Sequence, residues 1–303
     1  MIDNSINWED YKAIRRMNPS TLVAGCKSML RLRRVMREPF EETNAMRLGT
    51  GIHALLLEPD EFEERFCVMP AFNLDPENLR APKRKDEPII DRMTDSKQTT
   101  YYKAKKADFE AANEGKCIID RHQYDTALHC IESLNSRPHF RQLVASANKE
   151  VTVFGEIDGV EFKGRIDLLH PSCICDLKTT FDIAHFGRTF TSLDYAFKLA
   201  IYRELVRQNT VGVRDVKVIA QETKDDFDNA MFVVPSDLLD NALSQVMMVV
   251  AQYKQAVATN VWPGWDRGEQ EVEIEVPYWA RKEMEVDWSG VELTNEEPQE
   301  SYF

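Results

Sequence analysis

The pattern of apolar and polar positions divides the chain near residue 145. Before that point it is mainly helical, and from Glu150 onward it alternates as strands do. A first helix is predicted from about Pro19 to Met36, with Asn18-Pro19-Ser20-Thr21 supplying N-cap chemistry at its start. A second runs from about Thr43 to Leu57 and stops at Glu58-Pro59-Asp60, because the residue before a proline avoids helical geometry. Two more are predicted near Gln98 to Asn113 and Arg121 to Leu134. Between the second and third, Asn73 to Ser96 is rich in Pro, Asp, Lys and Arg without a period, which reads as a long loop or a mobile segment.

Beyond Glu150 the run V-T-V-F-G-E-I precedes Asp158-Gly159, and V-E-F-K-G-R-I-D-L-L follows it. An Asp-Gly pair between alternating runs predicts a β-hairpin. A third strand, Cys173 to Lys178, follows the Pro171-Ser172 turn. Next come a helix from about Leu193 to Gln208, strands at Val216 to Gln221 and Ala230 to Val234, and a long helix from about Ser236 to Ala256. That order predicts an α/β (α+β) core: an antiparallel hairpin leading into a central strand, a crossover helix and more sheet. The expected organisation is a helical N-terminal part (1–145), a core (146–263) and a C-terminal segment (264–303) in one integrated domain. There is no internal repeat.

Composition narrows the class. Of 303 residues, 43% are hydrophobic and 29% charged, which excludes a mainly disordered chain. The N-terminal residues lack a basic and then apolar leader, and no apolar run approaches about 18 residues. The expectation is therefore a cytoplasmic protein with no membrane segment. The six cysteines contain no C-x-x-C pair and are read as reduced thiols, with Cys173 and Cys175 as small buried strand residues. Neither G-x-x-x-x-G-K-[ST] nor G-x-G-x-x-G occurs, so nucleotide hydrolysis by a P-loop and dinucleotide binding have no support.

The net charge of −13 argues at first against a polyanionic substrate. Its distribution changes the picture, because the segment from Gly264 to Phe303 holds twelve acids and three bases and accounts for −9 of the total. The rest of the chain is near neutral and carries basic clusters at Lys27, Arg31, Arg33, Arg34 and Arg37, at Arg80, Lys83, Arg84 and Lys85, and at Lys103, Lys105 and Lys106. Such clusters are usually solvated faces. The acidic segment reads either as a solvated end that keeps the protein soluble or as a surface that meets a basic partner or discourages non-specific binding.

The chemistry is concentrated on C-I-C-D-L-K-T. Period-two alternation puts Ile174, Asp176 and Lys178 on one face and Cys175 and Leu177 on the other. The turn at Pro171-Ser172 can bring Asp167 alongside Asp176. Two carboxylates can hold a hard divalent cation, which polarises a phosphoryl oxygen and acidifies water, and a lysine beside them offsets developing charge. Glu150, at the start of the first hairpin strand, is either a further acidic group near such a cation or an exposed strand-end glutamate, and is read as the latter. His122, His129 and His139 are read as packing or surface residues. Gly49 and Gly51, each costing about 1 kcal/mol relative to Ala inside a helix, are expected where a backbone or DNA approaches closely.

Gly164-Arg165-Ile166-Asp167 followed by Asp176-Leu177-Lys178-Thr179-Thr180 resembles the active-site strands of the PD-(D/E)xK nuclease superfamily. R-L-G-T-G-I-H-A-L-L-L-E-P resembles the glycine-then-histidine helix of its RecB-type and RecE-type branch. The resemblance implies His53, Asp167, Asp176 and the Leu177 carbonyl as metal ligands and Lys178 as the catalytic cation, around Mg²⁺ or Mn²⁺. It implies a restriction-endonuclease-like core with a central mixed sheet flanked by helices. Tyr195 to Tyr202 is similar to that branch's Q-x-x-x-Y helix, with Tyr202 matching and Lys198 in place of the glutamine. Lys198, Tyr202 and Thr179 are the implied substrate contacts. Downstream, V-K-V-I-A-Q-E-T-K-D-D-F-D-N-A-M-F-V-V, then W-P-G-W and E-V-E-I-E-V-P-Y-W-A, are similar to RecE-like (exonuclease VIII type) phage and prophage exonucleases. Those relatives imply 5′-to-3′ digestion of linear double-stranded DNA, a single-strand-annealing recombinase as partner and a closed homo-oligomer. The last cysteine is Cys175, so the iron–sulfur cluster of some relatives is excluded. Other expectations are a single-strand or flap nuclease of the same superfamily, or a non-catalytic module that binds DNA ends.

Overall fold

One strand of the chain is buried on both faces along nearly its whole length, and the fold is arranged to cover it. The structure is a computed structural model and describes residues 1–276 apart from 39–41, 213, 267, 270, 272 and 275. In chain order the elements are β1 (Ile2–Asp3), α1 (Trp8–Ala13), α2 (Pro19–Leu22), α3 (Met29–Arg37), α4 (Asn44–Leu57), α5 (Phe62–Arg65) and β2 (Phe66–Met69). They continue with α6 (Thr100–Ala112), β3 (Cys117–Asp120), α7 (Arg121–Ser136), α8 (Pro138–Ser146), β4 (Asn148–Ile157), β5 (Val160–Leu169) and β6 (Cys173–Thr180). The last are α9 (Phe186–Ser192), α10 (Tyr195–Asn209), β7 (Asp215–Glu222), β8 (Asn229–Val234) and α11 (Ser236–Thr259).

Six strands form a mixed sheet in the order β1-β4-β5-β6-β7-β8. All neighbours run antiparallel except β6 and β7. A parallel pair cannot be joined by a tight turn, and α9 and α10 make the crossover. One face of the sheet packs Ile166, Ile174 and Val218 against Leu199, Ile201 and Leu205 of α10 and Val246 and Val250 of α11. The opposite face packs Leu168, Cys175, Leu177 and Ile219 against Ile52 and Leu56 of α4, Leu134 of α7 and Phe140 of α8. Burial on both faces explains why β5 reads as an almost unbroken buried run from Phe162 to Leu169. The α/β core with a central mixed sheet between helices is as expected.

Several elements differ from the sequence reading. The helix expected from Pro19 to Met36 is broken into α2, a 3₁₀ turn (Val23–Cys26) and α3. A Cβ at Gly25 would lie 2.7 Å from Val249 Cγ1, so the chain passes too close to α11 to carry side chains there. The Ser28 hydroxyl then accepts the Arg31 N–H and starts a new helix. The short strands β1, β2 and β3 and the helices α1, α8 and α9 add to what was predicted. The stretch from Asn73 to Ser96 is a long loop gathered on one residue. Buried Asn78 shares its two Nδ2 protons among the carbonyls of Asn73 (2.9 Å), Thr94 (2.7 Å) and Ser96 (3.1 Å). Beyond residue 276 the acidic C-terminal segment lies outside the described residues.

Helix α10 reaches the sheet through a glycine. A Cβ at Gly164 would lie 2.8 Å from Tyr202 Cε1 and 3.2 Å from Val153 Cγ2, so the Tyr202 ring rests directly on the β5 backbone. Gly164→Ala is expected to cost about 1–3 kcal/mol by overpacking, measurable as a lower urea midpoint. An unchanged midpoint would show that the ring shifts freely.

Candidate metal centre

The hydrogen-bond ladder of the sheet opens at one step. β4 and β5 pair from Asn148↔Leu169 to Ile157↔Val160 but skip the step between Lys149↔Leu168 and Val151↔Ile166. β5 and β6 pair only at Leu168↔Cys175 and Leu169↔Ile174. Both registers, continued by one residue, set Glu150, Asp167 and Asp176 in a row across three strands. The backbone is disturbed there. Glu150 has φ of 49°, a left-handed conformation that costs a non-glycine residue free energy. The pleat also slips at Asp167, since Ile166 packs on the α10 side and Leu168 on the α4 side.

Asp167 fills the opening with its side chain. Its Oδ2 accepts the Leu177 N–H at 2.6 Å, where a strand partner would otherwise accept it. On the same edge the Leu177 carbonyl accepts from Lys178 Nζ at 3.1 Å and lies 2.9 Å from His53 Nε2. Helix α4 delivers His53 because Ile52 and Leu56 bury against β6, which leaves the imidazole at the parted strands. His53 Nδ1 lies 3.6 Å from Asp167 Oδ2 and 3.9 Å from Glu150 Oε1. One ligand atom from each of His53, Glu150 and Asp167 lies within 4.8 Å of the other two.

Asp176 and Lys178 approach from the α10 face. Lys178 Nζ is 2.5 Å from Asp176 Oδ2, a charge contact off hydrogen-bond alignment, and this buried oxygen has no other donor. Burial pushes the Asp176 carboxyl up; Lys178 opposes this and Asp167 reinforces it. For Lys178, burial favours the neutral amine, but the charges of Asp176 and Asp167 outweigh it and the ammonium persists above its usual range. For His53, burial favours the neutral ring, and Asp167 and Glu150 overcome it to raise the pKa to about 9.

The other expected residues surround this group. Lys178 and Lys198 lie 5.6 and 5.1 Å over the same Tyr195 ring. Burial, then the neighbouring Lys178 charge, lowers the Lys198 pKa. Tyr202 packs behind β5, and burial holds its phenol protonated well above the usual range. The Thr179 hydroxyl faces Gly49, where a Cβ would lie 3.4 Å away. No other backbone lies within 4 Å of a Cβ at Gly49 or Gly51, so the backbone approach expected there is not found; around Gly51 the nearest atoms are the side chains of Ile119 and Phe66 at 3.9 Å.

Glu150 is the main correction. Its side chain is only 12% exposed and it faces His53, whereas the sequence reading made it a solvated strand end. Counting outward from the Asp158-Gly159 turn would have placed it opposite Asp167. Arg165 and Glu58 were also missed as parts of the site. Arg165 Nε donates to Glu150 Oε2 at 2.7 Å and its Nη2 to Glu58 Oε1 at 2.5 Å.

An acidic pair and an Asp-x-Lys strand meeting where a mixed sheet parts, with a helix-borne histidine above, define a PD-(D/E)xK-type fold. The chain belongs to the family described as PDDEXK-like domain of unknown function (DUF3799), which matches residues 23–271. Its fold is similar to that of a crystal structure from Eubacterium rectale named "Putative exonuclease". The TM-score is 0.61 at 15% identity, covering 93% of this chain and 99% of that one. No curated protein matches the sequence. Among the described residues no helix is long and apolar enough to cross a membrane.

The raised His53 pKa has a measurable sign. In metal-free protein the charged ring stabilises the fold fully below its unfolded value of 6.5, and this contribution is lost as pH rises through about 9. Urea midpoints of chelator-treated protein should fall across that window, and His53→Gln should flatten the fall. Parallel curves for the two proteins would contradict the arrangement.

Proposed function

We propose that this protein is a divalent-metal-dependent deoxyribonuclease that degrades linear double-stranded DNA from its ends, 5′ to 3′, in recombination or repair. The observation that carries the reading is the meeting of His53, Glu150 and Asp167 beside the Leu177 carbonyl and the Asp176–Lys178 pair. The donor set fits a cation: one imidazole, carboxylate oxygens and one carbonyl suit Mg²⁺ or Mn²⁺, and the imidazole favours Mn²⁺. The buried Asp176 Oδ2 without an aligned donor fits as well. His53, Asp167, Asp176 and the Leu177 carbonyl would hold the ion, with Glu150 as a further carboxylate.

Bound there, the cation supplies Lewis-acid polarisation of a phosphodiester oxygen and activation of the attacking water. The chain's own groups do the rest. His53 must give up a proton to act as a ligand, because a metal takes the neutral ring. Lys178 stays charged, so it acts as a fixed cation that orients the nucleophile and offsets charge building on the phosphoryl group. Lys198, held on the Tyr195 ring, and Thr179 are the contacts to the DNA backbone in this reading. A lysine carries only donors, so Lys198 can bind a phosphate but cannot reproduce the paired donor and acceptor of the family's glutamine. Tyr202 fixes α10 against β5 and so sets where Lys198 stands. The downstream motifs support a single-strand-annealing recombinase as partner and a homo-oligomeric assembly.

A time course on end-labelled linear duplex with millimolar Mg²⁺ or Mn²⁺, beside closed circular and single-stranded DNA, tests the reading. Linear duplex should shorten from the 5′ ends while circles persist. Lys178→Ala and Asp176→Asn should each slow cleavage by about 100-fold or more with the circular dichroism spectrum unchanged. Intact linear duplex with either ion, or a fully active Lys178→Ala protein, would overturn it.

A further inference from the structure

We propose that Arg165 is a positioning residue for the metal centre, a buried fork that selects which oxygen of Glu150 faces the ion and locks the His53 helix to the hairpin. The inference rests on the metal-dependent reading above and deepens it.

Arg165 is 8% exposed, and its guanidinium donates in three directions. Nε meets Glu150 Oε2 at 2.7 Å, Nη2 meets Glu58 Oε1 at 2.5 Å and Nη1 meets the Ile6 carbonyl at 3.0 Å. The rings of Trp8 and Tyr11 each lie 5.8 Å from its central carbon and cover it. With Oε2 engaged by the fork, Glu150 has only Oε1 left to face His53 Nδ1, at 3.9 Å. Glu58 is the C-cap of α4, and its second oxygen is bound by Arg65 at 2.5 Å. The fork thus joins the end of the helix that carries His53 to the strand that carries Asp167, two residues from Arg165.

Stability alone is a poor reason for this cluster, because buried ion pairs often contribute little net stability compared with apolar packing. Geometry is the better reason. Glu150 is held at φ of 49°, a strained conformation that persists only when its surroundings enforce it. A planar guanidinium can hold two carboxylates and a carbonyl in fixed directions, and an ammonium cannot. Groups that orient a metal's ligands typically change its affinity by about 10- to 100-fold when removed.

Calorimetric titration of Mn²⁺ into wild type, Arg165→Lys and Glu58→Gln, each confirmed folded at the working temperature, tests the proposal. Arg165→Lys keeps the charge and loses the fork; Glu58→Gln leaves the strands untouched and weakens one arm. The expected result is Mn²⁺ affinity reduced about 10-fold or more in Arg165→Lys and several-fold in Glu58→Gln, with an altered Mn²⁺ electron paramagnetic resonance spectrum in both. A merely structural role would lower the unfolding midpoint and leave the affinity of the folded protein unchanged, and that result would overturn the proposal. If Arg165→Lys does not fold, Glu58→Gln decides the matter alone by the same criterion. Wild type that binds no Mn²⁺ would instead refute the metal-dependent reading itself.

Discussion

The bond from the Leu177 amide to the Asp167 carboxylate governs this structure. A sheet is most stable when neighbouring strands exchange backbone hydrogen bonds along their length, yet β5 and β6 stop doing so after two pairs. Asp167 satisfies the amide left over, and the Leu177 carbonyl on the same edge is released toward His53 and Lys178. Parted strands without this substitution would bury unpaired backbone groups, at about 1–3 kcal/mol each. With it, acids, an imidazole and an ammonium gather at the opening.

The charges around the opening are arranged in two groups. On the α4 side the carboxylates of Glu150 and Asp167 face His53, and Arg165 lies behind Glu150. On the α10 side Asp176 and Lys178 neutralise one another, with Lys198 close by on a shared ring. Each group is nearly balanced, which explains how so many ionisable side chains are tolerated next to two apolar cores. On the α10 side Lys178 and Lys198 outnumber Asp176, an excess of positive charge that would suit the polyanionic substrate proposed above.

Much of this was legible in the sequence, for definite physical reasons. The alternation in C-I-C-D-L-K-T divides into Ile174 on one core and Cys175 and Leu177 on the other because β6 is central and covered on both faces. His53 was legible through its glycine-rich helix. Glu150 was not, because a polar residue at the start of a strand looks the same whether it faces solvent or a site. Arg165 and Glu58 are 107 residues apart, and nothing local to either shows that they touch. The elements that were missed have the same character: β1, β2 and β3 are two to four residues long and exist through distant partners. The close approach of Gly25 to Val249, where the first predicted helix breaks, involves a residue far along the chain.

The way α4 lies across β6 has a consequence for how such a chain can change over time. The candidate centre draws on positions 53, 150, 167 and 176 to 178, and the fork behind it reaches back to Ile6 and Glu58. No continuous stretch shorter than most of the protein contains the whole site. A helical region that looks like an accessory therefore cannot be exchanged or duplicated independently of the sheet. A change in either half is therefore felt at the same centre.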